Sequence, residues 1–100
     1  MSRSERRSWE IEETKRIVLM RYGGRCKLCD RRATQCGHIL PQDTLHVARY
    51  GAEVIHHPEN MEPVCGLKHN AAVQINYRSR PLEADRWAEH IRQLIQEANR

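Results

Sequence analysis

Apolar residues recur at helical spacing in two stretches, one near each end of the chain. Ile11, Val18 and Tyr22, with Ile17 and Leu19 alongside, predict a helix over about 9–22. Ser8 stands where an N-cap belongs, Glu10, Glu12 and Glu13 occupy the favourable first turns, and Gly23-Gly24 closes the element. Ala84, Trp87, Ala88, Ile91, Leu94, Ile95 and Ala98 form a continuous stripe that predicts a last helix over about 82–98. That stripe reads as core, with a dimer seam as its other use.

Between them the pattern is broken. Residues 33–39 read as a short strand, ended by Pro41. Residues 42–50 read as a loop that can hold a short helix, with Asp43 as cap and Leu45 and Ala48 facing inward. Gly51 breaks that element. Residues 52–56 and 61–64 read as two further extended stretches. A short helix is predicted over about 70–77 on Ala71, Ala72, Val73 and Ile75, and Arg78-Ser79-Arg80-Pro81 ends it. No internal repeat and no low-complexity segment is present.

The chain has 100 residues and no Phe, which suits one small domain with a thin apolar supply. Domains of this size often need a staple. The middle, roughly 23–70, is poorest in aliphatics and richest in Cys and His, so a metal is expected there in place of a core. No run is long and apolar enough for a transmembrane helix. Residues 1–8 read as a loose basic arm (Arg3, Arg6, Arg7) without the apolar stretch of a signal peptide. A reducing, cytoplasmic setting is therefore expected. There the four cysteines serve as metal ligands or buried thiols rather than as disulfides. The net charge of +4 suits a phosphate-backbone partner without requiring one.

Cys26-x2-Cys29 is half of a tetrahedral zinc site, since a two-residue spacer lets both thiolates reach one ion at about 2.3 Å. A redox pair has the same spacing, but the βαβ unit that would surround it is missing. Cys65 and His69 supply the other half. Sets using Cys36, or one of His56 and His57, compete with it, and four unligated thiols is the bland alternative. Cys36 lies two residues from His38, on the same strand face; alone it reads as a small buried hydrophobe.

The ordered set Cys26-x2-Cys29, Gly37-His38-Ile39-x-Pro41, Pro58-Glu59-Asn60-x-x-Pro63-x-Cys65, then His69-Asn70 resembles the HNH nucleases, also called ββα-metal or His-Me finger nucleases. The resemblance covers about 26–77. It implies a small α+β fold: two short antiparallel strands and a helix around a divalent metal, braced by a structural zinc and flanked by an N-terminal and a C-terminal helix. By position His38 matches the general base, Asn60 the residue that holds the loop between the strands and orients that base, and Asn70 the metal ligand at the start of the helix. A register shifted by one would make His69 that ligand and put Lys68 at a zinc position. The catalytic ion implied is Mg²⁺ or Mn²⁺, which prefers oxygen donors. The products implied are a 5′-phosphate and a 3′-hydroxyl.

Two positions depart from the family pattern. Gly37 stands where many members carry a metal-binding Asp, and three residues separate Cys65 from His69 where two are usual. His56, His57 and Glu62 are candidates to make up the missing ligand. Arg31, Arg32, Arg49, Lys68, Arg78 and Arg80 lie in or beside the motif as candidate phosphate contacts.

The expectation is a phage or bacterial metal-dependent DNA endonuclease that nicks or cleaves duplex DNA, as monomer or homodimer. The alternatives are a non-catalytic zinc-bound nucleic-acid-binding module of the same fold, and a protein-interaction adaptor using the last helix.

Overall fold

Two short strands carry the molecule's organisation. β1 (Gln35–His38) and β2 (Met61–Val64) pair antiparallel, with Gln35 opposite Val64, Gly37 opposite Glu62 and His38 opposite Met61. The computed structural model describes the backbone of residues 3–100 and the side chains of residues 10–100. The expected Ser8 cap and the arm's arginine side chains lie outside the described residues.

α1 (Arg3–Leu19) begins well before the expected residue 9 and ends before residue 22. A 3-10 turn over Arg21–Gly23 follows, and the chain reverses through Tyr22, Gly23 and Gly24 at φ of 52°, 69° and 81°. Gly supplies that left-handed backbone without a Cβ penalty. Tyr22 is therefore outside the helix and exposed, not on its inner stripe. Among the described side chains of α1, Val18 is the one fully buried. Arg21 ties this corner to the hairpin by donating to the carbonyls of Met61 and Pro58, each at 2.8 Å.

The segment between the strands is helical. α2 (Thr44–Tyr50) is capped by Asp43, whose carboxylate accepts from His46 N at 2.9 Å. α3 (Ala52–Ile55) follows directly after Gly51, and residues 52–56 are thus not extended as expected. Val54 and Ile55 suggested a strand by β-branching, yet both are buried in the main core and one helical turn suffices to point them there. Leu45 and Ala48 do not face inward; they are exposed, and His46 and Tyr50 are buried instead.

α4 (Leu67–Ala72) starts before the expected residue 70 and ends before 77. It packs on β1, where Gly37 gives room: a Cβ there would lie 2.9 Å from Val73 Cγ2. α5 (Pro81–Ala98) has Pro at its first turn, where the missing N–H costs nothing. Most of its stripe is core, as expected, while Ala98 is exposed: Ala84, Ala88 and Ile91, with Trp87 and Ile95 packed on them, are buried against Leu40, Tyr50, Val54 and Ile55. Those four come from the supposedly core-poor middle, so zinc-type ligands and a true apolar core coexist there. The result is a small α+β fold: N- and C-terminal helices, a two-stranded antiparallel sheet and a Cys3His cluster.

Candidate metal centre and adjoining cleft

The Cys26–Cys29 turn is fastened to the end of the hairpin. Lys27 N donates to Pro63 O at 2.8 Å, Cys26 N to Arg31 O at 2.6 Å, and Arg25 bridges Arg32 antiparallel. The turn therefore lands beside Cys65, which follows β2. His69 sits within the first turns of α4 and faces the same point.

The ligand atoms of Cys26, Cys29, Cys65 and His69 all lie within 4.8 Å of one another. Cys29 Sγ is 3.4 Å from Cys65 Sγ, and His69 Nδ1 is 3.5 Å from Cys26 Sγ and 3.4 Å from Cys65 Sγ. A tetrahedron with metal–ligand bonds of about 2.0–2.3 Å has edges of roughly 3.3–3.8 Å, so the set fits Zn²⁺.

The electrostatics agree. Burial opposes a Cys26 thiolate, but the N–H groups of Leu28 and Cys29, the His69 ring and the Cys65 N–H outweigh it and bring the thiol down to about 6. Cys65 moves the other way, up to about 11, through the Cys29 thiol beside it, burial and the charge on Cys26. Three thiolates this close need a cation among them, which a zinc ion supplies.

The competing ligand sets are not assembled. Cys36 Sγ donates to Lys15 O at 3.3 Å, and burial pushes its thiol up. His57 Nδ1 accepts from Glu59 N at 3.0 Å and caps a 3-10 turn over Pro58–Asn60. Lys68 is exposed while His69 belongs to the cluster, so the register that puts an ammonium at a zinc position finds no support.

His38 lies at the end of β1 and is 5% exposed. Its ring stands edge-on to His56 at 5.6 Å between centroids. Burial, then the nearby His56 and Lys15, push its pKa down to about 4. Its Nε2 is buried with no hydrogen-bond partner. A buried polar atom left open in this way asks for a ligand or water. A cleft of about 250 Å³ is lined by Cys36 and His38 of β1, by Asn70 and Gln74, and by the loop at Pro41 to Asp43. The structure thus brings His38 and Asn70 to one cavity.

Asn70 Nδ2 donates to Gln35 Oε1 at 3.1 Å, which leaves its carbonyl oxygen to accept. Asn60 is fully buried and its side chain is saturated. Oδ1 accepts from Leu40 N at 2.8 Å and Trp87 Nε1 at 3.1 Å, while Nδ2 donates to Leu40 O at 3.1 Å and Ile55 O at 2.8 Å. It locks the backbone two residues beyond His38 to α3 and α5.

The cleft's donors toward a hard divalent ion are mostly neutral. Asp43 is its carboxylate, but Oδ1 is 2.6 Å from His46 Nδ1 and Oδ2 accepts from Arg78 at 2.9 Å. Burial alone would raise the Asp43 carboxyl; His46 and Arg78 outweigh it and hold it far below the usual range. The amide oxygen of Asn70 remains, with Gln42 and Gln74 beside it. Neutral amide oxygens alone hold a hard divalent ion weakly, since such sites usually include a free carboxylate. His56 and His57 line a different depression of about 360 Å³ between α1, α3 and α5. No three of its imidazole and carboxylate ligand atoms lie within 4.8 Å of one another.

Half of the candidate phosphate contacts are engaged inside the protein. Arg49 pairs with Asp85 through two bonds of 3.0 Å and stacks on Tyr77, Arg78 pairs with Asp43, and Arg80 with Glu83. His46 went unnoticed in the sequence: it is fully buried, bonded to Asp43 and accepting from Tyr77 N at 3.0 Å. The signal was its place three residues after a capping Asp.

No helix among the described residues is long and apolar enough to cross a membrane. No protein-family model matches the chain, and no curated protein or solved structure matches it significantly.

Proposed function

We propose that this protein is a metal-dependent DNA endonuclease of the HNH type, hydrolysing phosphodiester bonds at the His38–Asn70 cleft. One observation carries the reading. A buried imidazole with an open Nε2 and an amide oxygen with an open acceptor site line one cavity, while a saturated Asn60 fixes the loop beside them. The ordered motif resemblance points to the same three residues.

In this reading His38 takes the proton from the attacking water. The depressed pKa keeps the ring neutral at physiological pH, as a base must be before it acts. Asn60 acts through His38 as a positioning residue. Asn70 Oδ1 would hold a Mg²⁺ or Mn²⁺ ion, which would supply charge stabilisation at the leaving oxygen. The zinc cluster is structural: it fixes the start of α4, and hence Asn70, against the hairpin.

The test is nicking of supercoiled plasmid with added Mg²⁺ or Mn²⁺. Wild type cleaves, and His38→Ala lowers the rate by about a hundredfold or more. Equal cleavage by His38→Ala would overturn the assignment.

Gly37 favours a second reading, a non-catalytic zinc-bound nucleic-acid-binding module of the same fold. The space where a metal-binding Asp would begin is occupied by Val73. Duplex binding without metal-dependent cleavage would select it.

A further inference from the structure

We propose that Arg31 and Lys68 form a docking site for a sugar-phosphate backbone on the zinc-knuckle face. This inference rests on the nucleic-acid reading above and deepens it by naming a contact surface outside the cleft.

The six basic residues of the motif region divide into two sets. Arg49, Arg78 and Arg80 are neutralised by Asp85, Asp43 and Glu83. Arg31, Arg32 and Lys68 are exposed and take part in none of the ion pairs among the described residues. The unpaired set belongs to the knuckle. Arg31 and Lys68 line one depression of about 340 Å³ together with Cys29, Cys65, Gly66 and His69.

The charge arithmetic favours an anion there. A zinc ion with three thiolates and a neutral imidazole carries one net negative charge. Two unpaired cations over it leave the depression positive. Both are mounted on backbone that the cluster immobilises: Arg31 O accepts from Cys26 N, and Lys68 directly precedes His69. A phosphate bound there orders the two side chains but not the backbone that carries them.

Position favours nucleic acid over an anionic membrane. His69 lines the depression and Asn70 lines the cleft, so the two cavities flank the same helical turn of α4. A phosphodiester chain crossing that turn meets both. A bilayer would reach the depression without any use for the cleft.

The experiment measures binding of zinc-loaded protein to a labelled duplex of about 20 base pairs, from about 50 to 200 mM salt. The variant is Arg31→Gln with Lys68→Gln, and Arg80→Gln is the control. Zinc content and circular dichroism establish that each is folded. The double variant is expected to bind about tenfold more weakly and to lower the salt slope by about 2, at roughly 0.9 per phosphate. Arg80→Gln leaves both unchanged.

Unchanged affinity and slope in the double variant overturn the proposal, as does a wild type that binds no duplex. So does Arg31- and Lys68-dependent binding to vesicles of anionic phospholipid with none to duplex. Nicking, scored separately, keeps the two readings apart. His38-dependent nicking with unaltered binding in the double variant removes this surface alone. Weakened binding in the double variant with no nicking by wild type removes the nuclease alone.

Discussion

The side-chain amide of Asn60 closes both hydrogen bonds of Leu40: it accepts from the Leu40 N–H at 2.8 Å and donates to the Leu40 carbonyl at 3.1 Å. A fully buried amide thus stands in for a missing strand partner immediately beyond β1. It also accepts from Trp87 and donates to Ile55, so one residue joins the hairpin, α3 and α5.

Replacing Asn60 by Ala strands two donors and two acceptors without water. Unmade buried bonds cost about 1–3 kcal/mol each, and partial relaxation leaves an expected loss of about 3–5 kcal/mol. Urea denaturation of zinc-loaded Asn60→Ala measures it. A loss below about 1 kcal/mol would remove Asn60 as the latch.

Gly37 is required by the packing of α4. A Cβ at this position meets Val73 Cγ2 at 2.9 Å and Asn70 Cα at 3.4 Å. Gly37→Asp is therefore expected to destabilise by about 1–3 kcal/mol through overpacking. Adding Val73→Ala opens the contact and recovers part of the loss, and the new carboxylate then tightens Mg²⁺ or Mn²⁺ binding. Thermal melts and metal titration by calorimetry check the pair. A stable Gly37→Asp single variant would contradict the contact.

The metal set makes its own prediction. One zinc per chain is expected, lost in Cys26→Ser, Cys65→Ser or His69→Ala and kept in Cys36→Ser, whose thiol bonds α1 instead. Structural zinc contributes on the order of 10 kcal/mol to small zinc domains, so a strong chelator should melt the knuckle and free α4 from the hairpin. Metal analysis with circular dichroism reads both effects. A full zinc content in His69→Ala would break the assignment.

Parts of this were legible in the sequence for physical reasons. The Cys3His set is partly legible because two Cys at a two-residue spacing can reach one ion, and Cys65 and His69 lie four residues apart across the start of α4. The α5 stripe is legible because its period matches the helix and nothing competes with it. The stretch 52–56 reads as extended because β-branching at Val54 and Ile55 signals a strand, while Gly51 at φ 92° permits a tight restart into helix over Ala52–Ile55. The inner face of α2 was misread because apolarity favoured Leu45 over His46. A histidine satisfied on both nitrogens can be buried; the Asp43 partner is local, but the Tyr77 N–H on the other nitrogen is tertiary information. The same holds for Arg49 and Arg78, claimed by the distant Asp85 and Asp43, whereas Arg80 and Glu83 are three residues apart and their pairing is local.

His38 gives the pH prediction. Burial first, then His56 and Lys15, lower its pKa to about 4 in the folded chain, against about 6.5 for an unperturbed histidine. The unfolded chain therefore binds more protons between these values, and stability must fall as pH falls. The contribution is fully present above pH of about 6.5 and is lost through about 4, with a size of the order of 3 kcal/mol. Acid also loosens zinc by protonating its ligands, so the wild type alone does not isolate the effect. His38→Gln removes the titrating ring and leaves the cluster intact. Its stability relative to wild type should therefore improve steadily from pH of about 7 to about 4.5, measured by urea denaturation at saturating zinc. Parallel curves for the two proteins across that range would mean that His38 titrates in the folded chain as it does in water, and that its ring is not sealed in the cleft wall.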